Sequence, residues 1–193
     1  MPKLWTETID AHRAAVRDAA MDAMAALVAE RGLVAVTMSQ IAEQAGIGRA
    51  TLYKYFPDAR AVLTAWHERQ ITAHLDQLTA AVDPSAPAIV RLEAVLHTYA
   101  HIQHHSARHH GGELATLLHR GEHVDRAQKR LRDFVQELIA EAVRDGHLRD
   151  DVAADELTTY CLHALTAAGA MPRPESIQRL VTVTLAGLTV HRP

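Results

Sequence analysis

Apolar residues along this chain recur at spacings of three and four, as in Ile9, Val16, Ala20, Met24 and Leu27. That is the period of an amphipathic helix and not the alternation of a strand. The only strand-like run, Leu33-Val34-Ala35-Val36, is too short to anchor a sheet. Prolines mark the interruptions, since none sits comfortably inside a helix: Pro57 stands alone, and Pro84 with Pro87 and Pro172 with Pro174 form pairs. The pattern predicts an all-α chain of about nine helices, at residues 8–31, 37–44, 49–56, 58–82, 88–106, 113–118, 125–144, 154–168 and 175–190. Gly32 ends the first and Asp58 caps the fourth. No internal repeat is visible.

Residues 37–56 carry the chemistry. Thr37-Met38-Ser39-Gln40 has the pattern of a capping box, in which the Thr hydroxyl accepts from the Gln40 backbone N–H and the Gln side chain reaches back. Ile41, Ala42 and Ala45 give the short helix an apolar face, and Gly46 supplies a tight turn that lets the next helix cross it steeply. The outcome is a helix-turn-helix. In its second helix Leu52 and Phe56 are four apart and point inward, leaving Arg49, Ala50, Tyr53 and Lys54 on the other faces. Arg and Lys can neutralise phosphates or read guanine, Tyr and Thr hydroxyls can bond phosphate oxygens, and Ala50 permits close approach. A short polar helix beside a glycine turn also occurs as a plain solvated face in structural domains.

The string Thr37-Met38-Ser39-Gln40-Ile41-Ala42-Glu43-Gln44-Ala45-Gly46-Ile47-Gly48-Arg49-Ala50-Thr51-Leu52-Tyr53-Lys54-Tyr55-Phe56-Pro57 resembles the N-terminal signature of the TetR family of bacterial transcriptional regulators. The resemblance extends back over the first helix and forward to Leu63, and Gly146-His147-Leu148-Arg149-Asp150-Asp151 resembles the loop before the last two family helices. It implies a helix-turn-helix DNA-binding domain at 1–56 and a divergent ligand-binding and dimerisation bundle at 57–193. It implies a homodimeric repressor of a palindromic operator, released by a small-molecule effector. By position it makes Arg49, Ala50, Thr51, Tyr53 and Lys54 the recognition-helix contacts and puts Thr37 and Tyr55 on phosphates. One departure is visible: where the family has a Lys two residues after the Pro, this chain has Ala59 followed by Arg60.

Composition narrows the remaining classes. A chain of 193 residues with 48% hydrophobic and 22% charged residues is neither disordered nor collagen-like. A formal charge of −3 gives no overall nucleic-acid signature, so any DNA contact must come from a local patch. No run approaches the roughly 18 apolar residues of a membrane span, and the N-terminus lacks an apolar h-region, so the expectation is a cytoplasmic protein with no membrane contact. The one cysteine, Cys161, cannot close an intrachain disulfide or build a Cys-based metal site. No phosphate-binding glycine loop, nucleophile elbow or HExxH motif supports catalysis, and no cofactor is expected.

Eight of the fourteen histidines fall between His97 and His123. Imidazoles four apart on a helix face the same way and could share a metal ion at 97/101, 101/105, 105/109 or 119/123, which makes a metal-responsive regulator the alternative. Against it, with Leu92 at zero and about 100° per residue, Val95, Leu96, Tyr99 and Ile102 stay within about 80°, whereas His97, His101 and His105 fall about 140° to 180° away. They lie opposite the apolar stripe, on a solvated or partner-facing side, and such a cluster gains positive charge in mildly acidic solution. A second alternative is a helical binding protein with a vestigial helix-turn-helix.

Helix bundles hold small molecules between helices, in an apolar lining with a few polar groups. The expected lining here is Trp66, Ile71, Leu96, Tyr99, Ile102, Leu117, Phe134 and Leu138, with His101 or His105 as polar handles, although each also reads as ordinary core. The last two helices have broad apolar faces, Leu157, Cys161, Ala164, Leu165 and Ala168 on one and Ile177, Leu180, Val181, Thr184, Leu185 and Leu188 on the other. A two-fold dimer through these helices would explain them, and so would covering the core of one chain.

Overall fold

Eight α-helices form in the residues that the computed structural model describes, 3–31, 36–109 and 122–189, with no strand among them. They are α1 (Lys3–Arg31), α2 (Met38–Gln44), α3 (Arg49–Tyr55), α4 (Ala59–Ala80), α5 (Ala88–His109), α6 (Glu122–Arg144), α7 (Ala154–Thr166) and α8 (Pro174–Ala186). The helix expected at 113–118 lies outside the described residues. α1 and α5 run past their expected ends because no breaker stands in the way: α1 begins at Lys3 and α5 continues to His109. α4 starts as expected, with the Asp58 carboxylate accepting from the Ala61 N–H at 2.8 Å. Contacts divide the chain into Met1–Gln70 and Ile71–Pro193, and α4 contributes residues to both.

In the N-terminal unit α1 packs on α2 and α3. The residues that lose their solvent are the ones the period picked out: Val16, Ala20, Met24 and Leu27 of α1, Met38, Ile41 and Ala42 of α2, and Leu52 and Phe56. On α4, Val62, Leu63 and Trp66 are buried, and Arg69 pairs with both Asp18 (3.3 Å) and Asp22 of α1.

The C-terminal unit is arranged around α5, which contacts α6, α7 and α8. Leu92, Val95, Leu96 and Ala100 of α5 share one core with Leu138 and Ile139 of α6, Cys161 and Leu165 of α7, and Ile177 and Val181 of α8. Each fully buried aliphatic side chain contributes on the order of 1.5–3 kcal/mol. Thr158 and Thr184 are buried without loss, because their hydroxyls donate to the Ala154 and Leu180 carbonyls one turn earlier, at 2.7 and 2.8 Å.

Two connections carry the fine positioning. After α6, Gly146 takes a left-handed φ of 74° and the His147 and Leu148 N–H groups both return to the Ala142 carbonyl. The Arg149 N–H then donates to the Leu188 carbonyl at 2.9 Å, while its guanidinium grips Asp151 through two bonds of 2.7 Å. After α7 the helix tightens into a 3-10 turn, Ala167–Ala170, and does not continue as α-helix to residue 168 as the period predicts. The turn lies close against α5: a Cβ on Gly169 would stand 2.9 Å from the Ala107 Cβ. Only the missing side chain allows the turn to sit so close.

Candidate nucleic-acid interface

Thr37 stands at the N-cap of α2 in an extended conformation, its hydroxyl accepting from the Gln40 N–H at 3.4 Å and its own N–H donating to Gln40 Oε1 at 2.8 Å. The capping box is formed as its sequence requires. Gly46 adopts φ 66°, a left-handed value that costs a residue without Cβ little. Its N–H bonds to the Glu43 carbonyl and the Ile47 N–H to the Ala42 carbonyl, closing α2 before α3 begins at Arg49.

On α3, Leu52 is fully buried and Phe56, at its C-cap, is 3% exposed. Arg49, Ala50, Tyr53 and Lys54 are exposed, and Thr51 and Tyr55 are half-buried on the flanks. The helix thus offers water a face with two cations, a small residue and a phenol, and no carboxylate. Such a face can meet a polyanion and donate to base edges. One further contact has no local sequence signal: the Arg17 guanidinium of α1 lies over the Phe56 ring at 4.8 Å from its centre.

The histidines of α5 divide into two kinds. His97 and His101 stack with ring centres 5.0 Å apart, and Nε2 of His97 meets Oε1 of Gln178 on α8. His101 and His105 are exposed, and partial desolvation, followed by the charges of His97 and His104, holds His101 below the usual imidazole range. His104 is buried at 7% exposure, with Nδ1 3.0 Å from the Ala168 carbonyl. Because a carbonyl only accepts, that nitrogen carries the proton. Among the described residues no three His, Cys, Asp or Glu side chains gather as a ligand set. His119, which the 119/123 pair needs, and the His109 side chain lie outside the described residues.

The expected effector lining is distributed over several places. Trp66 belongs to the N-terminal unit, and Leu117 lies outside the described residues. In the C-terminal unit Leu96, Tyr99 and Leu138 are core, Ile102 and Phe134 pack against it half-buried, and Ile71 is half-buried. Burial raises the Tyr99 phenol above its usual range, opposed by a hydrogen bond with Gln103.

Residues 20–65 match the family described as bacterial regulatory proteins, tetR family, and residues 93–190 match the domain described as transcriptional regulator SbtR-like, C-terminal domain. The chain belongs to the TetR family of transcriptional regulators. The HTH-type transcriptional repressor KstR2 of Mycobacterium tuberculosis is 23% identical over 185 residues, which is 88% of this chain and 90% of that protein. A TetR/AcrR-family regulator from Thermobifida fusca YX-ER1 shares the fold with a TM-score of 0.75 at 21% identity, over 92% of this chain and 98% of that one. AibR, solved in complex with isovaleryl coenzyme A and operator DNA, shares it with a TM-score of 0.64 at 18% identity, over 90% of this chain and 98% of its own.

In this TetR chain the residues expected at a dimer interface mostly serve its own core. Leu157, Cys161, Leu165, Ala168, Ile177, Val181, Thr184 and Leu188 are all buried within the single chain, and Ala164, Leu180 and Leu185 are half-buried. What α7 and α8 leave outside is a second set: Tyr160 at 45% and Val183 at 67% exposure, with His163, Arg179 and Ala186. Tyr160 lies close to Gly187 at the C-cap of α8, where an added Cβ would come within 2.9 Å of its hydroxyl. No described helix is long and apolar enough to cross a membrane.

Proposed function

We propose that this regulator is a cytoplasmic homodimeric repressor that binds a palindromic operator through residues 1–56 and an organic effector through residues 57–193. The observation that carries the reading is α3 itself, rigidly seated by Leu52 and Phe56 and exposing Arg49, Ala50, Tyr53 and Lys54 on the opposite side. Thr51 joins these contacts at the flank, and Thr37 and Tyr55 face the phosphates. A two-fold dimer then asks for half-sites about 34–36 Å apart or a multiple of it. Selection of bound duplexes from a randomised DNA pool by the purified protein tests this directly. An enriched palindrome supports it, and absence of enrichment at low salt rejects it.

Arg49 supplies a clear measurable consequence. Arg49→Ala weakens operator binding and relaxes the preference at one base position by about 1–3 kcal/mol, while the melting temperature stays where it was because the side chain is exposed. Titration of the enriched duplex and its single-base variants measures it. An unchanged sequence preference would remove Arg49 from base readout.

The dimer forms through the outer faces of α7 and α8, since the inner faces are already covered. Val183→Asp therefore weakens self-association about tenfold or more by placing a charge in the contact. It shifts the stability of the subunit by only about 0.5 kcal/mol, as expected of an exposed site. Sedimentation equilibrium together with a denaturation curve separates the two effects, and unaltered dimerisation would move the interface elsewhere.

For the effector, the lining proposed is Leu96, Tyr99, Ile102, Phe134 and Leu138, apolar side chains now packed in or against the core that would suit a molecule with an apolar body. AibR, which shares this fold, is known with isovaleryl coenzyme A and operator DNA bound together. Release follows if the effector prefers the arrangement that does not fit the operator, and α4, with residues in both units, is the covalent link between them.

A further inference from the structure

The histidine stripe of α5 has no task in operator binding, yet one turn of it meets a second helix. His97 and His101 lie four residues apart on α5, their rings 5.0 Å apart centre to centre and their planes 28° from parallel. Nε2 of His97 meets Oε1 of Gln178, which α8 carries. His97 is half-buried, and His101 and Gln178 are exposed. Two imidazoles and an amide oxygen, from two helices, therefore come together where water and ions have access.

The spacing of the two rings is that of a chelating pair. A zinc-sized metal ion stands about 2.0–2.1 Å from an imidazole nitrogen and hence about 3.2 Å from the ring centre. With about 90° to 109° between two such bonds, the ring centres lie about 4.5–5.2 Å apart. The observed 5.0 Å falls inside that interval. Rotation about χ2, a broad torsion for an imidazole, aims one nitrogen of each ring at a common point without moving the helices. The Gln178 oxygen can only accept, so His97 carries its proton on Nε2 in the metal-free protein and shifts it to Nδ1 when an ion enters between the two atoms. Glu93, one turn before His97, and Glu175, one turn before Gln178, are exposed carboxylates that favour a cation nearby, with Arg179 opposing them. No further histidine or acid completes the set among the described residues.

We propose that His97, His101 and Gln178 bind a divalent ion of the nickel, copper and zinc group, with water in the remaining positions. Two nitrogens and an oxygen without a thiolate suit copper(II) and nickel(II), and copper(II) binds most tightly by the general order of these ions. The site joins α5 to α8, so occupancy ties the two helices together and stabilises the C-terminal unit by mass action.

The test uses the full chain without a purification tag. Copper(II) is titrated at neutral pH against glycine as competing ligand, and the melting temperature is followed with and without one equivalent. Wild type takes up one copper ion ahead of any other, with an electron paramagnetic resonance spectrum showing coupling to imidazole nitrogen, and melts at a higher temperature when loaded. His101→Ala lowers the affinity of this ion about a hundredfold and Gln178→Ala about tenfold, and His101→Ala abolishes the thermal shift. Both side chains are exposed, so the metal-free variants melt close to wild type and a loss of copper is not a loss of fold. His105→Ala binds as wild type does. Wild-type affinity in His101→Ala overturns the proposal. So does an equal loss in His105→Ala, which moves the ion one turn along α5, and so does wild-type affinity in Gln178→Ala, which leaves it on α5 alone. None of these outcomes bears on operator binding, which the selection experiment tests separately.

Discussion

Leu52→Ala lowers the stability of the N-terminal unit by about 2–5 kcal/mol, the range for truncating a fully buried leucine, and operator binding disappears with it. Leu52 is wholly enclosed, and it is the one buried residue within the bounds of α3. A helix of seven residues has no stability of its own in water, because nucleation is costly and few hydrogen bonds follow it. Its place therefore depends on what Leu52 and Phe56 gain against α1 and α2. Urea denaturation and duplex titration on the same preparation check this. The informative contrast is with Arg49→Ala, which touches affinity and leaves the denaturation midpoint alone. If Leu52→Ala loses less than about 1 kcal/mol, α3 is held by something other than this packing.

Cys161 reacts with a maleimide or a disulfide reagent about a thousandfold more slowly in the folded protein than in denaturant. Burial among apolar neighbours pushes its thiol up to about 12 from an ordinary 9.0, so at pH 8 it holds about a thousandth of the usual thiolate, which is the reactive species. The side chain is also enclosed in the core that α5, α6, α7 and α8 share. Any labelling that does occur then reports opening of that core and not encounter at a surface. The rate as a function of urea measures it. Labelling at the speed of a free thiol in native buffer would place Cys161 on the surface and undo the assignment of α7 to the core. The chemistry also speaks against a redox sensor, which needs a low, accessible thiol.

The DNA-facing part of this protein was legible along the chain because its determinants are local. Thr37 and Gln40 are three residues apart and satisfy each other whatever surrounds them. Gly46 marks a left-handed turn, and Leu52 and Phe56 share a helical face by spacing alone. The all-helical class follows from periodicity for the same reason, and the helix starts at Asp58 and after Ala153 follow from polar groups a few residues away.

What periodicity cannot supply is the identity of whatever covers an apolar face. Leu157, Cys161, Leu165, Ile177 and Val181 form a stripe suited equally to a second chain or to α5 and α6, and tertiary packing chose the latter. That choice in turn left Tyr160 and Val183 outside. His104 lies at the margin of the α5 stripe and is buried only because the 3-10 turn closes over it, with the Ala168 carbonyl satisfying its ring and Gly169 making room. Arg17 meets Phe56 across 39 residues of sequence. The helices, their caps and the face that α3 turns outward are written locally, because they depend on neighbours within one or two turns. Which apolar faces cover the chain's own core, which histidine is dry and which arginine reaches the recognition helix follow from packing, because each depends on groups brought together only when distant helices meet.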